Sequence, residues 1–159
     1  MAGGILEPAN VVASGTATTK RDAIREAGDL LVRAGAVSEG YVDSMYERDA
    51  AVSTYMGNFL AIPHGTPEAK HSVIRSALTF VRYAAPIDWD GHPVRFAVGI
   101  AGLDNEHLEM LAAMAAIFSD RATVQELIDA ESAEDIFALL QAVNAKASAV
   151  PVPESAEGL

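Results

Sequence analysis

Four histidines, His64, His71, His92 and His107, are the residues of this chain best suited to chemistry near neutral pH. With an ordinary pKa of about 6.5, an imidazole offers both a nitrogen lone pair and a ring N–H under physiological conditions. It then serves as nucleophile, proton carrier or metal ligand. Their settings separate the four. His92 lies in Asp90-Gly91-His92-Pro93, a turn composition that predicts a solvated loop. His71 follows Glu68-Ala69-Lys70 and reads as a surface residue. His64 follows the apolar run Phe59-Leu60-Ala61-Ile62 and Pro63, with Gly65-Thr66 after it. A residue just past the carboxyl end of a strand in an α/β sheet stands where ligands bind. Pro63 restricts how the chain leaves the strand, and Gly65 lets backbone approach a bound group. A histidine packed in a strand-end turn fits the same spacing.

His107 falls in the first turn of a predicted helix, in Asp104-Asn105-Glu106-His107-Leu108, on one face with Leu111, Met114 and Phe118. Orphan N–H groups and the positive dipole end favour an anion such as phosphate there. A core histidine satisfied by backbone fits equally. Arg48 lies near the end of another predicted helix. It complements that helix's dipole, and its guanidinium also has the shape to hold a phosphate by two hydrogen bonds. No Walker loop, GxGxxG, HExxH or GxSxG is present, and the histidines and acids lack tight metal-ligand spacing. Spacing alone therefore reaches no further than a histidine-centred site.

The elements that must position these residues follow from periodicity and caps. Asn10–Ser14 is a short strand candidate. Thr19-Lys20-Arg21-Asp22 opens a helix whose inward residues are Ala23, Ala27, Leu30, Leu31 and Ala34, stopped at Gly35. Ser38 starts a second helix to about Asp49, with Val42, Met45 and Tyr46 inward. Phe59–Ile62 is a buried strand. Ile74–Tyr83 and Val94–Ala101 are strands close enough in sequence to pair as a long hairpin. Asp104 or Asn105, Asp120 and Ser132 each start a further helix. Strands interleaved with helices predict an α/β fold, a central mixed β-sheet flanked by helices on both faces. Met1–Gly4 reads as a flexible start. The folded domain is expected over 5–143, with 144–159, rich in Ala, Pro, Ser and Glu, as a disordered tail.

The 159 residues, half of them hydrophobic and 21% charged, suit one domain with a packed core. Eleven Lys and Arg against 22 Asp and Glu give a net charge of −11, which repels nucleic acid and steers a basic protein partner inward. The absence of cysteine excludes disulfides, thiolate metal sites and cysteine nucleophiles. The longest apolar stretch, Leu111–Phe118, is far short of the ~20 residues of a membrane span. The N-terminus has no signal-peptide pattern. A soluble, cytoplasmic protein is expected.

Together these residues resemble the mannitol-type enzyme IIA of the bacterial phosphoenolpyruvate-dependent sugar phosphotransferase system. The resemblance rests on Tyr41-Val42-Asp43-Ser44-Met45-Tyr46-Glu47-Arg48, then Ser53-Thr54-Tyr55-Met56-Gly57, then Leu60-Ala61-Ile62-Pro63-His64-Gly65-Thr66 with Glu68-Ala69-Lys70. It continues through Val98-Gly99-Ile100-Ala101-Gly102 into Asn105-Glu106-His107-Leu108, and covers about Ile5 to Gln141. Where some members carry an acid after the glycine, this chain has Asn58. The resemblance implies a phosphoryl carrier without independent turnover, phosphorylated on Nε2 of His64, with His107 and Arg48 stabilising the phosphoryl group. It implies the phosphocarrier protein HPr as donor and an enzyme IIB, separate or fused to the membrane component as IICB, as acceptor. No cofactor or metal is implied. A regulatory IIA-like phosphoprotein of the fructose or nitrogen branch is the alternative, and a metal-binding or hydrolytic protein using His64 and His107 a more distant one.

Overall fold

The computed structural model describes residues 5–149. A single 3-10 turn, Pro8–Asn10, leads into β1 (Val11–Val12), followed by α1 (Lys20–Arg33) and α2 (Gly40–Ala51). Then come β2 (Tyr55–Gly57), β3 (Leu60–Ala61), a 3-10 segment over Pro67–Ser72, β4 (Ala77–Trp89) and β5 (His92–Ala101). Three helices complete the order, α3 (Glu106–Phe118), α4 (Arg121–Asp129) and α5 (Ala133–Ala149).

The five strands form one mixed sheet in the order β1-β4-β5-β3-β2. β1 runs parallel to β4, and β3 parallel to β5. β4 and β5 form the expected antiparallel hairpin, closed by Asp90 and Gly91, which take φ of 56° and 95°. Positive φ at both central residues suits the right-handed twist of a hairpin, and Asp-Gly tolerates it. Side-chain alternation sorts the core into two layers. Ala77, Val81 and Tyr83 of β4 and Ala97 and Ala101 of β5 face Ala23, Ile24, Leu31 and Met45 of α1 and α2. Phe80, Phe96, Val98 and Ile100 face Met110, Met114, Phe118, Leu127 and Ile136 of α3 to α5. Both faces of the sheet are thus covered by helices.

Local chemistry explains the helix ends. Thr19 Oγ1 accepts the Asp22 N–H, and α1 stops before Gly35, whose φ is 75°. Asp120 accepts from Ala122 N–H, and Ser132 from Asp135 N–H. Two expected caps differ. Ser38 bonds the start of α2 through its carbonyl, not its hydroxyl, and Glu39 occupies the cap position. Asn105 holds the α3 cap position, but its side chain makes no capping bond.

Strand boundaries differ more. β4 begins at Ala77, because Ile74 and Arg75 give their N–H groups to the Ala36 carbonyl instead. It runs on to Trp89, past Ala84-Ala85-Pro86, because the ladder shifts register between Arg82 and Ile87 and a proline there forfeits no rung. His92, expected in a loop, is the first residue of β5; it is exposed and its ring stacks on Tyr55 at 4.4 Å. β2 is too short to show in the periodicity. α5 carries helical backbone to Ala149, so the boundary expected at 143 falls inside that helix. The expected flexible start, 1–4, and the rest of the expected tail, 150–159, lie outside the described residues.

Candidate functional site

β3 ends at Ala61, and Ile62-Pro63-His64 carries the chain onward beside β5. The Ile100 N–H donates to the Pro63 carbonyl at 3.1 Å, and His64 pairs with Ile100 as a parallel bridge. His64 is only 6% exposed. Its Nδ1 lies 2.7 Å from the Ile62 carbonyl oxygen. A carbonyl only accepts, so Nδ1 carries the ring proton and the lone pair is left on Nε2. Burial holds the His64 pKa below its ordinary value against the opposing pull of that carbonyl, and the positive Arg48 and neighbouring His107 add to the lowering. At neutral pH the ring is therefore uncharged and its Nε2 nucleophilic.

His107 is the second residue of α3, half-buried, with its ring centroid 5.2 Å from that of His64. Burial and the charge of Arg48 lower its pKa too. The approach depends on Gly102, because a Cβ there would sit 2.5 Å from the His107 Cα and 2.7 Å from its N. The other side of this turn is tied by Ser76, whose hydroxyl accepts the Leu103 N–H at 2.9 Å and donates to the Glu106 carboxylate.

Arg48 lies in the last turn of α2, where Nη1 donates to the Val52 carbonyl at 2.7 Å. That bond caps an orphan carbonyl of the helix end, as the dipole argument anticipated. Yet the guanidinium is near enough to both histidines to depress their pKa values, so the capping role and proximity to the site coexist. Its neighbour Asp49 is buried, accepting from Thr54 N–H (2.8 Å), Thr54 Oγ1 (2.6 Å) and Trp89 Nε1 (3.2 Å), with Lys20 Nζ 2.8 Å away. Burial pushes the Asp49 carboxyl up, but these donors outweigh it and hold it below the usual range. The network fastens the end of α2 to β2 and the β4–β5 hairpin.

Residues 48, 64 and 107 thus converge, while His71 and His92 stand apart on exposed surface. Among the described residues, no group of three or more His, Cys, Asp and Glu is placed to hold a metal ion. No described helix is long and apolar enough to cross a membrane. Reasoning from the sequence passed over Asp49 and Ser76, whose partners Trp89 and Glu106 are remote in the chain, and Gly102, whose close approach to His107 depends on how the turn between β5 and α3 folds. Asn58 takes φ of 51° in the β2–β3 turn and donates from Nδ2 to the Phe118 carbonyl at 2.7 Å, so amide and left-handed backbone serve the end of α3. An uncharged nucleophilic nitrogen, a second imidazole, a helix N-terminus and a guanidinium are the groups that accept and steady a phosphoryl group.

Known proteins share this arrangement of elements. Residues 4–143 match the family described as phosphoenolpyruvate-dependent sugar phosphotransferase system, EIIA 2. A mannitol-specific phosphotransferase enzyme IIA component of Halalkalibacterium halodurans is 46% identical over 140 residues, 88% of this chain and 97% of the relative. The crystal structure of IIA mannitol from Escherichia coli superposes with a TM-score of 0.78 at 32% identity, covering 84% of this chain and 97% of that one. The IIA of an Escherichia coli complex with phosphorylated enzyme IIB for mannitol gives 0.80 at 30% identity, covering 87% and 99%.

Proposed function

The chain belongs to the EIIA 2 family of the phosphoenolpyruvate-dependent sugar phosphotransferase system, and from that premise we propose that it carries a phosphoryl group on Nε2 of His64 from HPr to an enzyme IIB of mannitol uptake. The carrier domain comprises at least residues 5–143, with α5 running on to Ala149, and it works in the cytoplasm with no turnover of its own. The 46% identity to a mannitol-specific relative supports this branch over the regulatory one. The acceptor reading draws on the complex of a related IIA with phosphorylated IIB.

The observation that carries the assignment is the 2.7 Å bond from His64 Nδ1 to the Ile62 carbonyl, which leaves Nε2 as the reacting nitrogen. In the first half-reaction the Nε2 lone pair attacks the phosphorus on the donor's phosphohistidine. The new N–P bond forms as the donor's N–P bond breaks, and that electron pair returns to the donor imidazole. Negative charge is spread over the phosphoryl oxygens in transit. Arg48 pairs with those oxygens, and His107, backed by the start of α3, donates a ring N–H. Positioning of two protein surfaces does the remainder. In the second half-reaction a thiolate of IIB attacks the same phosphorus, and the pair of the His64–phosphorus bond returns to Nε2. The Ile62 carbonyl holds the tautomer through both.

Incubation with radiolabelled phosphoenolpyruvate, enzyme I and HPr tests the reading. One acid-labile phosphoryl group per chain is expected, mapped to His64 and absent in His64→Ala. Label on His107 of the unmutated chain would exchange the roles, and no label at all would refute the carrier function.

A further inference from the structure

Tyr41 is a buried polar side chain, 3% exposed, that packs against the His64 turn without taking part in phosphoryl chemistry. It shares one face of α2 with Ser44 and Arg48, at helical spacing. Its hydroxyl accepts the Gly65 N–H at 2.8 Å and donates to the Ile100 carbonyl at 2.8 Å. These two backbone groups flank the point where His64 pairs with β5. Since Ile100 N–H already bonds the Pro63 carbonyl, the next rung of a parallel ladder would run directly from Gly65 N–H to the Ile100 carbonyl. The phenol oxygen occupies that rung.

The phenol oxygen stands 2.8 Å from both Gly65 N and the Ile100 carbonyl oxygen, so one side chain of α2 ties these two backbone groups together. The chain is thereby fastened to β5, through α2, immediately beyond His64. The fit is close, because a Cβ on Gly65 would lie 2.5 Å from Tyr41 Cε1 and 2.6 Å from Ser44 Oγ. Burial raises the Tyr41 pKa against the opposing effect of the Gly65 N–H, which keeps the phenol protonated and able to donate.

We propose that Tyr41 is a positioning residue for phosphoryl transfer: its hydroxyl, spliced into the ladder between Gly65 and Ile100, sets the His64 turn at a fixed distance from β5 and, through α2, from Arg48. This rests on the carrier function proposed above. Without the hydroxyl, Gly65 N–H and the Ile100 carbonyl lose the partner they share, and the His64 turn is no longer tied to α2 and Arg48. The expected signature is a loss of rate out of proportion to any loss of stability.

Tyr41→Phe keeps the ring and removes the splice. Single-turnover transfer from phosphorylated HPr should show a maximal rate lowered on the order of 10- to 100-fold, since a displacement near 1 Å can cost ~10², with the half-saturating HPr concentration little changed. Tyr83→Phe is the control, deleting a different phenol bond, to Glu26 at 2.8 Å. It should show a similar thermal shift and full transfer. Transfer by Tyr41→Phe at the unmutated rate, or an equal loss in Tyr83→Phe, overturns the proposal. NMR of the unphosphorylated protein provides a readout independent of transfer. The Tyr41 hydroxyl proton should exchange slowly and couple to Gly65 and Ile100, and a freely exchanging hydroxyl overturns the proposal even if Tyr41→Phe does not fold. Failure of the unmutated chain to accept phosphate would instead defeat the carrier reading, with the hydroxyl proton still deciding whether the splice exists.

Discussion

Gly102→Ala places one methyl group between the end of β5 and the first turn of α3, and its consequence can be worked from distances. The added Cβ would lie 2.5 Å from the His107 Cα, 2.7 Å from its N and 2.8 Å from its Cβ. All are parts of a helix's first turn, not the far end of a flexible side chain. Ordinary contact begins near 3.4 Å, so the two backbones must separate by about 0.9 Å. The loop side yields poorly, because Ser76 holds the Leu103 N–H at 2.9 Å. The displacement is therefore taken by α3 and carries His107 away from His64. Overpacking of this kind costs about 1–3 kcal/mol of stability. A reacting arrangement misplaced by ~1 Å loses up to ~10² in rate. Stopped-flow transfer from phosphorylated HPr should thus be slowed 10- to 100-fold, with label still on His64 and a modestly lowered thermal midpoint. Gly40→Ala, where a Cβ meets nothing within 4 Å, should transfer at full rate. A Gly102→Ala protein that is folded and transfers normally would show that the position of His107 does not govern the reaction.

Three further expectations follow from the same geometry. Arg48→Ala should slow transfer on the order of 10²–10³, the usual loss when one charge-stabilising donor is removed; Arg48→Lys should recover only part in the same assay, because an ammonium lacks the two-pronged fork. Burial holds the His64 pKa below the ordinary imidazole value of about 6.5, so its neutral form already predominates at pH 7. Labelling under excess phosphorylated HPr should be flat from pH 7 to 8 and decline only on acidification past that value, and a rate still rising across pH 7 to 8 would contradict it. Asp49→Ala leaves Thr54 N–H and Trp89 Nε1 without their acceptor, while Lys20 keeps Asp90 at 2.9 Å. Urea denaturation should show a loss of about 2–3 kcal/mol. The folded pKa of Asp49 is depressed, so this stabilisation is present above the unfolded carboxylate value and is lost as pH falls through the folded one.

Much was legible in the chain itself. Thr19 and Asp120 cap helices through side chains that touch residues two or three positions away, and Asp90-Gly91 makes its own turn. Interactions of such short range are written in consecutive residues. The β-rich composition of Val94–Ala101 marked a strand, and the structure shows its successive side chains going to the two helical layers. The run ending at Pro63 put His64 at a strand's carboxyl end, and helical spacing put His107 in a first turn. What local pattern could not reach was length against proline: β4 passes through Pro86 only because a register shift with β5 removes the need for its N–H.

The site itself was decided by tertiary structure. His64, His107 and Arg48 were each open to a bland reading, since a strand-end histidine, a core histidine and a helix-capping arginine satisfy the same spacing. Arg48 does cap its helix, through Val52, and only the packing of α2 on the sheet also brings its charge to both imidazoles. The choice of Nε2 depends on a carbonyl two residues back, whose direction is set by how Ile62 and Pro63 leave β3 beside β5. Gly65 and Gly102 look like ordinary loop glycines until Tyr41 and His107 are packed against them at less than van der Waals distance from any Cβ. Residue type specifies which group can react. Which ring nitrogen holds the proton depends on the path of the chain out of β3, and what charge stands beside it on contacts between residues distant in the chain, which exist only once both layers have closed on the sheet.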